Sequence, residues 1–202
     1  MNFGDKMKDG FIKVAAATPK VTVADVDANL SEIKRLIKKA DGEKVNLLVF
    51  PELSLTAYTC GDLFFNDALL SNTQKALEEL REFTKNIYTI AVVGLPFKHG
   101  TKLYNCAAVI GNGEILGIVP KKYSPCHNEF DEGRYFSAFN GSAFSGMDEI
   151  PFGEKLNSPT VQCPNILSAL KSARICLPPY RNPKHLRFAA VILFLTLPPA
   201  TR

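Results

Sequence analysis

Two ionisable residues stand in matching places in this 202-residue sequence. The apolar run Asn46–Phe50 ends in Pro51-Glu52, and the run Glu114–Val119 ends in Pro120-Lys121. A proline fixes the local backbone and cannot extend a strand ladder. Each charged group therefore begins where its strand has to stop. In an open α/β sheet, groups at the strand carboxyl ends line the ligand crevice. A glutamate and a lysine meeting there supply a general base and a fixed positive charge for a developing oxyanion. The same residues are also compatible with a structural ion pair, or with two unconnected surface charges at loop starts.

The elements that must position them follow from apolar spacing. Phe11–Thr18 reads as a strand that becomes small and buried. Asp25–Lys39 carries Leu30, Ile33, Leu36 and Ile37 at helical spacing, and the charged turn Asp41–Lys44 ends that helix. Asn46–Phe50 is apolar enough for burial on both faces. The spacing of Ala76, Leu77, Leu80 and Phe83 predicts a helix over Ser71–Lys85, with Ser71 or Asn72 as its cap. Tyr88–Phe97 is the next strand. Leu103–Ile110 and Glu114–Val119, joined by Gly111–Gly113, form a hairpin, because Asn-Gly tolerates the positive φ such turns need. The order β-α-β-α-β-β-β implies a mixed sheet in a layered α/β domain.

Composition is ordinary for a soluble globular protein, with 46% hydrophobic and 22% charged residues. The net charge of +4 hides an asymmetry. Residues 1–156 hold 18 Lys+Arg and all 20 acids, whereas residues 157–202 hold six Lys+Arg, no acid and seven of the 13 prolines. The basic charges of this tail are scattered and lack interleaved aromatics, so neither nucleic acid nor a membrane is expected as a partner. The five cysteines (Cys60, Cys106, Cys126, Cys163, Cys176) show no CxxC and no regular spacing, which predicts neither a zinc site nor a disulfide framework. The opening "MNFGDKMKDG" is polar, and the apolar run Phe188–Leu197 is about half a membrane span. A cytoplasmic protein with reduced thiols is expected.

Longer motifs sharpen the assignment. "FPELSLTAYTCGDLF" (Phe50–Phe64) closely resembles the glutamate motif of the nitrilase superfamily of carbon–nitrogen hydrolases. "GIVPKKYSPCHNEFDEGRYF" (Gly117–Phe136) resembles its lysine motif, and "DGFIKVAAATPKVTVADVDAN" (Asp9–Asn29) its N-terminal strand and helix start. "TAYTCGDLF" and the second motif together resemble the glutamine-dependent NAD synthetase branch. The resemblance implies a nitrilase-like α-β-β-α sandwich, incomplete here, and a Glu-Lys-Cys triad that hydrolyses the side-chain amide of glutamine. It makes Glu52 the general base and Lys121 the oxyanion stabiliser, in preference to Lys122. It places Tyr58, His127 and Phe130 at the glutamine, although His127 stands where the family pattern has tyrosine. Glu129 is a second candidate pocket carboxylate, or a structural partner for a lysine. The resemblance further implies a homo-oligomer and no metal or cofactor in this part. ATP and magnesium are expected only in a separate synthetase domain that would use the ammonia.

The implied nucleophile is harder to place. Past "PFGEKL" (Pro151–Leu156) the resemblance stops. Cys176 falls near the expected position, but Pro178-Pro179 follow it where the family has an acidic pair and a strand end. A one-nucleotide shift near Leu156 would account for the break in composition. Permitted codons for Pro164–Cys176, regrouped by one base, read "EHFVGVEICEDL", with the cysteine codon straddling Ser172 and Ala173. On that expectation residues 1–156 are the hydrolase part, residues 157–202 are an out-of-frame basic tail, no nucleophile is encoded, and the chain is an inactive, shortened glutaminase. Two other readings stay open: a different amidase or carbamoylase of the same superfamily, and a non-catalytic binding module that uses the tail.

Overall fold

Helix α1 (Val26–Gly42) forms where the apolar residues fall on one stripe, and it buries Leu30, Ile33, Ile37 and Ala40. The Asp25 side chain caps it by accepting a hydrogen bond from the Ala28 amide at 3.0 Å. The computed structural model describes residues 13–122, 126–127, 130–141, 144–145 and 150–153. Helix α1 runs three residues beyond the expected Lys39, because the backbone turns out of it at Glu43 and at Lys44, whose φ is 57°. Helix α2 (Asp67–Phe83) begins earlier than its periodicity suggests. Its cap is Asn66, whose side chain accepts from the Ala68 amide at 2.8 Å, rather than Ser71 or Asn72. An earlier start places Asp67 in the first turn, where the helix dipole favours an acid, and adds Leu69 to the buried stripe.

The strands are β1 (Val14–Ala16), β2 (Leu47–Val49), β3 (Ile90–His99), β4 (Lys102–Gly111), β5 (Glu114–Pro120), β6 (Cys126–His127), β7 (Phe130–Asp131), β8 (Phe144–Ser145) and β9 (Pro151–Phe152). Seven of them form one sheet in the order β1-β2-β3-β4-β5-β9-β8, and β6 pairs with β7 separately. β1, β2 and β3 run parallel, joined by α1 and α2 as crossovers, while β3, β4 and β5 form an antiparallel meander. The β4–β5 turn is the Asn112-Gly113 pair, with φ of 54° and 78°. β1 departs from expectation. It is an edge strand among the described residues, and Val14 is 48% exposed. Small residues at a sheet edge have the same local pattern as a buried strand.

Alternation along the strands divides the sheet into two apolar faces. Ala91, Val93 and Leu95 of β3, with Tyr104, Cys106, Ala108 and Ile110 of β4, share one core with the helical residues. Their neighbours Ile90, Val92, Ala107 and Val109 point to the other face and are also buried. A helical layer against one side of a sheet that is apolar on both sides is the α-β half of an α-β-β-α sandwich.

The short helix α3 (Glu132–Tyr135) is held against the loop after β2. Phe64 meets Phe136 edge-on at 4.8 Å between ring centroids, and Arg134 pairs with Asp62 at 2.8 Å. The Ser137 amide donates to the Leu103 carbonyl at 2.8 Å, which ties the segment after α3 to β4. Among the described residues, no helix is long and apolar enough to cross a membrane.

Candidate active site

Glu52 leaves the end of β2 on a loop fastened to β3. The Leu55 amide donates to the Gly94 carbonyl at 3.1 Å. Ser54 Oγ donates to that carbonyl and accepts from the Gly94 amide. Gly94 is required here: a Cβ built on it would lie 2.4 Å from both the Leu53 nitrogen and the Pro51 oxygen. The close approach is matched by backbone strain in the loop, where Leu53 and Ala57 hold φ of 52° and 71°. From α1, the buried Asn29 adds a further tie by donating to the Leu55 carbonyl at 3.1 Å.

Lys121 follows β5, and its amide donates to the Asn105 carbonyl of β4 at 2.8 Å. Its side chain is 2% exposed and reaches Glu52 Oε2 at 2.8 Å and Glu132 Oε1 at 2.9 Å. The Asn105 side-chain amide donates to the same Glu52 Oε2 at 3.0 Å. Tyr58 donates its hydroxyl to Glu132 Oε1. Burial first, and then the Glu132 carboxylate, hold the Tyr58 hydroxyl well above the usual tyrosine range.

The cluster is incompletely satisfied among the described residues. Two of the three ammonium protons of Lys121 have partners. Glu132 Oε2 is buried and accepts no hydrogen bond there. Leaving such an oxygen unpaired costs about 1–3 kcal/mol. A cavity of about 10 Å³ lies beside the cluster, lined by Glu52, Val92, Gly94, Asn105, Ala107 and Lys121. Val92, Gly94, Asn105 and Ala107 alternate with the helix-side core residues, while Phe50 and Cys106 of that core also border the cavity.

The structure thus brings Glu52, Lys121 and Tyr58 of the sequence-derived set into one network around the buried lysine. His127 and Phe130 pair through their main chains in β6–β7, and their side chains lie outside the described residues, as do Glu129 and Cys176. Among the described residues, the second carboxylate at the lysine is Glu132. Nothing in its spacing from Lys121 announces it, because α3 must first fold back over the loop after β2. Asn105 was more legible: a lone amide inside the apolar strand "LYNCAAVI" must find a hydrogen-bond partner when buried. Cys126 lies in β6 with its side chain outside the described residues, and Cys60 and Cys106 are buried without a disulfide. Burial raises both thiols, and Cys106 belongs to the helix-side core. Cys106 also borders the cavity. Among the described residues no cluster of metal-ligating side chains occurs.

The carbon–nitrogen hydrolase family model matches residues 13–180, and the chain belongs to that family. The match runs past the boundary at residues 156/157 read from composition. Within the family the chain is similar to glutamine-dependent NAD(+) synthetases. It is 35% identical to that of Mycobacterium tuberculosis over 159 residues, which is 77% of this chain and 23% of that protein. It is 38% identical to that of Aquifex aeolicus over 125 residues, 62% of this chain and 22% of that protein. The chain therefore spans about a quarter of the length of the curated relatives it matches. Among solved structures, the glutamine-dependent NAD(+) synthetase of Cytophaga hutchinsonii superposes with a TM-score of 0.65 at 28% identity, over 71% of this chain and 25% of that one. An amidase from Nesterenkonia sp., 20% identical with a TM-score of 0.56 over 66% of this chain and 50% of that one, shares the fold.

Proposed function

We propose that this chain carries the acid–base and oxyanion machinery of a glutaminase, the part of a glutamine-dependent NAD synthetase that frees ammonia for amidating deamido-NAD. The observation that carries this is the buried Lys121–Glu52 contact of 2.8 Å beside a cavity, in a chain of the carbon–nitrogen hydrolase family. In the reaction, a cysteine sulfur gives its proton to Glu52 and bonds to the amide carbon, and the carbonyl π electrons move to oxygen. The remaining N–H of Lys121 donates a hydrogen bond to that oxyanion and keeps its proton, a contribution worth roughly 10²–10³ in turnover for one such donor. Collapse breaks the carbon–nitrogen bond, and Glu52 returns the proton to the leaving ammonia. Water then attacks the thioester with Glu52 again as base, which releases glutamate and restores the thiol. Tyr58, His127 and Phe130 are assigned to the glutamine. ATP and magnesium belong to a synthetase domain, and the assembled enzyme is a homo-oligomer.

The nucleophile is the missing part. The regrouped codons of Pro164–Cys176 support a reading in which the sulfur's codon is out of frame, so that the chain itself releases no ammonia from glutamine. Sequencing the DNA across Gly153 and assaying ammonia release test both halves. A protein with the reading frame restored is expected to hydrolyse glutamine in preference to other amides, and to lose about 10²-fold or more in Glu52→Gln. Restored protein that cleaves other amides and spares glutamine refutes the glutaminase assignment. Activity of the present chain that disappears in Cys176→Ala refutes the missing-nucleophile reading alone.

A further inference from the structure

We infer that Asn105 is a positioning residue for the Glu52–Lys121 pair: it selects the oxygen of Glu52 that the lysine holds and keeps the other oxygen turned to the cavity. This inference rests on the reading of Glu52 as the base. Asn105 is 3% exposed and sits in the apolar interior of β4. Both of its polar ends serve the pair. Its carbonyl accepts from the Lys121 amide at 2.8 Å, and its side-chain amide donates to Glu52 Oε2 at 3.0 Å. Lys121 Nζ donates to that same Oε2 at 2.8 Å.

Two donors on one carboxylate oxygen define its orientation, because the carboxylate cannot rotate without breaking both bonds. Glu52 Oε1 accepts no hydrogen bond among the described residues and is the oxygen left for proton traffic. With the lysine alone, either oxygen would serve equally, and the ammonium would be free to turn toward Glu132. The amide also holds Glu52 without consuming a third ammonium proton, which leaves that proton for an oxyanion.

The test reads the ε-ammonium of Lys121 by proton–nitrogen NMR of the full chain, the signal being assigned by its loss in Lys121→Arg. Asn105→Leu keeps the volume and removes the donor; Asn105→Ala replaces it if the leucine variant does not fold. Asn105→Ser keeps a shorter donor. The expected result is loss or clear displacement of the Lys121 signal in the donor-free variant and its retention in Asn105→Ser, with circular dichroism and melting showing both folded. Retention in both variants, or loss in both, overturns the inference. A residue that merely fills space would move the melting temperature and leave the ammonium signal in place. The signal is read without glutamine turnover, so failure of the glutaminase assignment is a separate outcome.

Discussion

Replacing Gly94 by alanine tests how tightly the glutamate is fixed. The new Cβ would stand 2.4 Å from the Leu53 nitrogen and the Pro51 oxygen and 2.8 Å from the Glu52 carbonyl carbon, where ordinary contact begins near 3.4 Å. All three neighbours are backbone atoms, so no rotamer change relieves the overlap. The loop must retreat from β3 by about 1 Å. Such a shift carries the 2.8 Å contact between Glu52 and Lys121 beyond hydrogen-bond range. Overpacking of this kind costs about 1–3 kcal/mol, and each kcal/mol lowers Tm by about 2–4 °C in a domain of this size. On the proposed glutaminase reading, with Glu52 as base and the frame restored, a displacement of about 1 Å at Glu52 is expected to cost on the order of 10² in kcat. The assay pairs a thermal melt with a crystal structure of Gly94→Ala. A melting temperature within about 1 °C of the parent, with the Glu52–Lys121 contact unchanged, would refute the close-approach argument.

Other perturbations reach different parts of the framework. Lys121→Met leaves the buried Glu132 and the partly buried Glu52 without their shared cation, and its unfolding midpoint in urea is expected to report a loss of up to about 3–5 kcal/mol; a neutral result would mean that the cluster is solvated. Tyr58 keeps its proton in the folded state at pH values where the unfolded chain gives its own up, near pH 10. Its contribution is therefore complete below about pH 10 and lost as pH rises above it. Tyr58→Phe should lose stability less steeply above pH 10 than the parent, and identical pH profiles would contradict the Tyr58–Glu132 contact. Asn66→Ala removes the observed cap of α2 and should cost about 1 kcal/mol in a circular-dichroism melt, whereas Ser71→Ala and Asn72→Ala should cost little; the reverse ranking would restore the later helix start.

Much of the fold could be read locally. The apolar run around β2, the two-residue turn at Asn112-Gly113 and the stripe of α1 each carry their own signal. The start of α2 did not, because Ser71 and Asn72 are competent caps in isolation and the choice of Asn66 depends on burying Leu69 in a core assembled from distant strands. β1 was misjudged for a related reason: small side chains specify a strand but not its place in the sheet. At the site, a proline marks both Glu52 and Lys121 in the sequence. Pro51 lies beyond the end of β2 as its chemistry predicts, whereas Pro120 still pairs with Cys106 inside β5, so the strand does not stop before it and Lys121 simply follows the strand's last residue. Glu132 left no such mark. It lies in the run Asn128–Arg134, where four of the seven residues are acidic or basic, and it is buried only once α3 has folded against the loop after β2, where Phe64 meets Phe136.

Glu52, Asn105, Lys121 and Glu132 are drawn from one continuous stretch, much of which is a meander whose strands pair with their immediate successors. Pairings so close along the chain close small loops and form quickly. A ribosome making this polypeptide would therefore release all four of these side chains before the residues beyond Leu156 had emerged. On the proposed glutaminase reading, with the nucleophile encoded beyond that point, the sulfur joins last, after the charged cluster is in place.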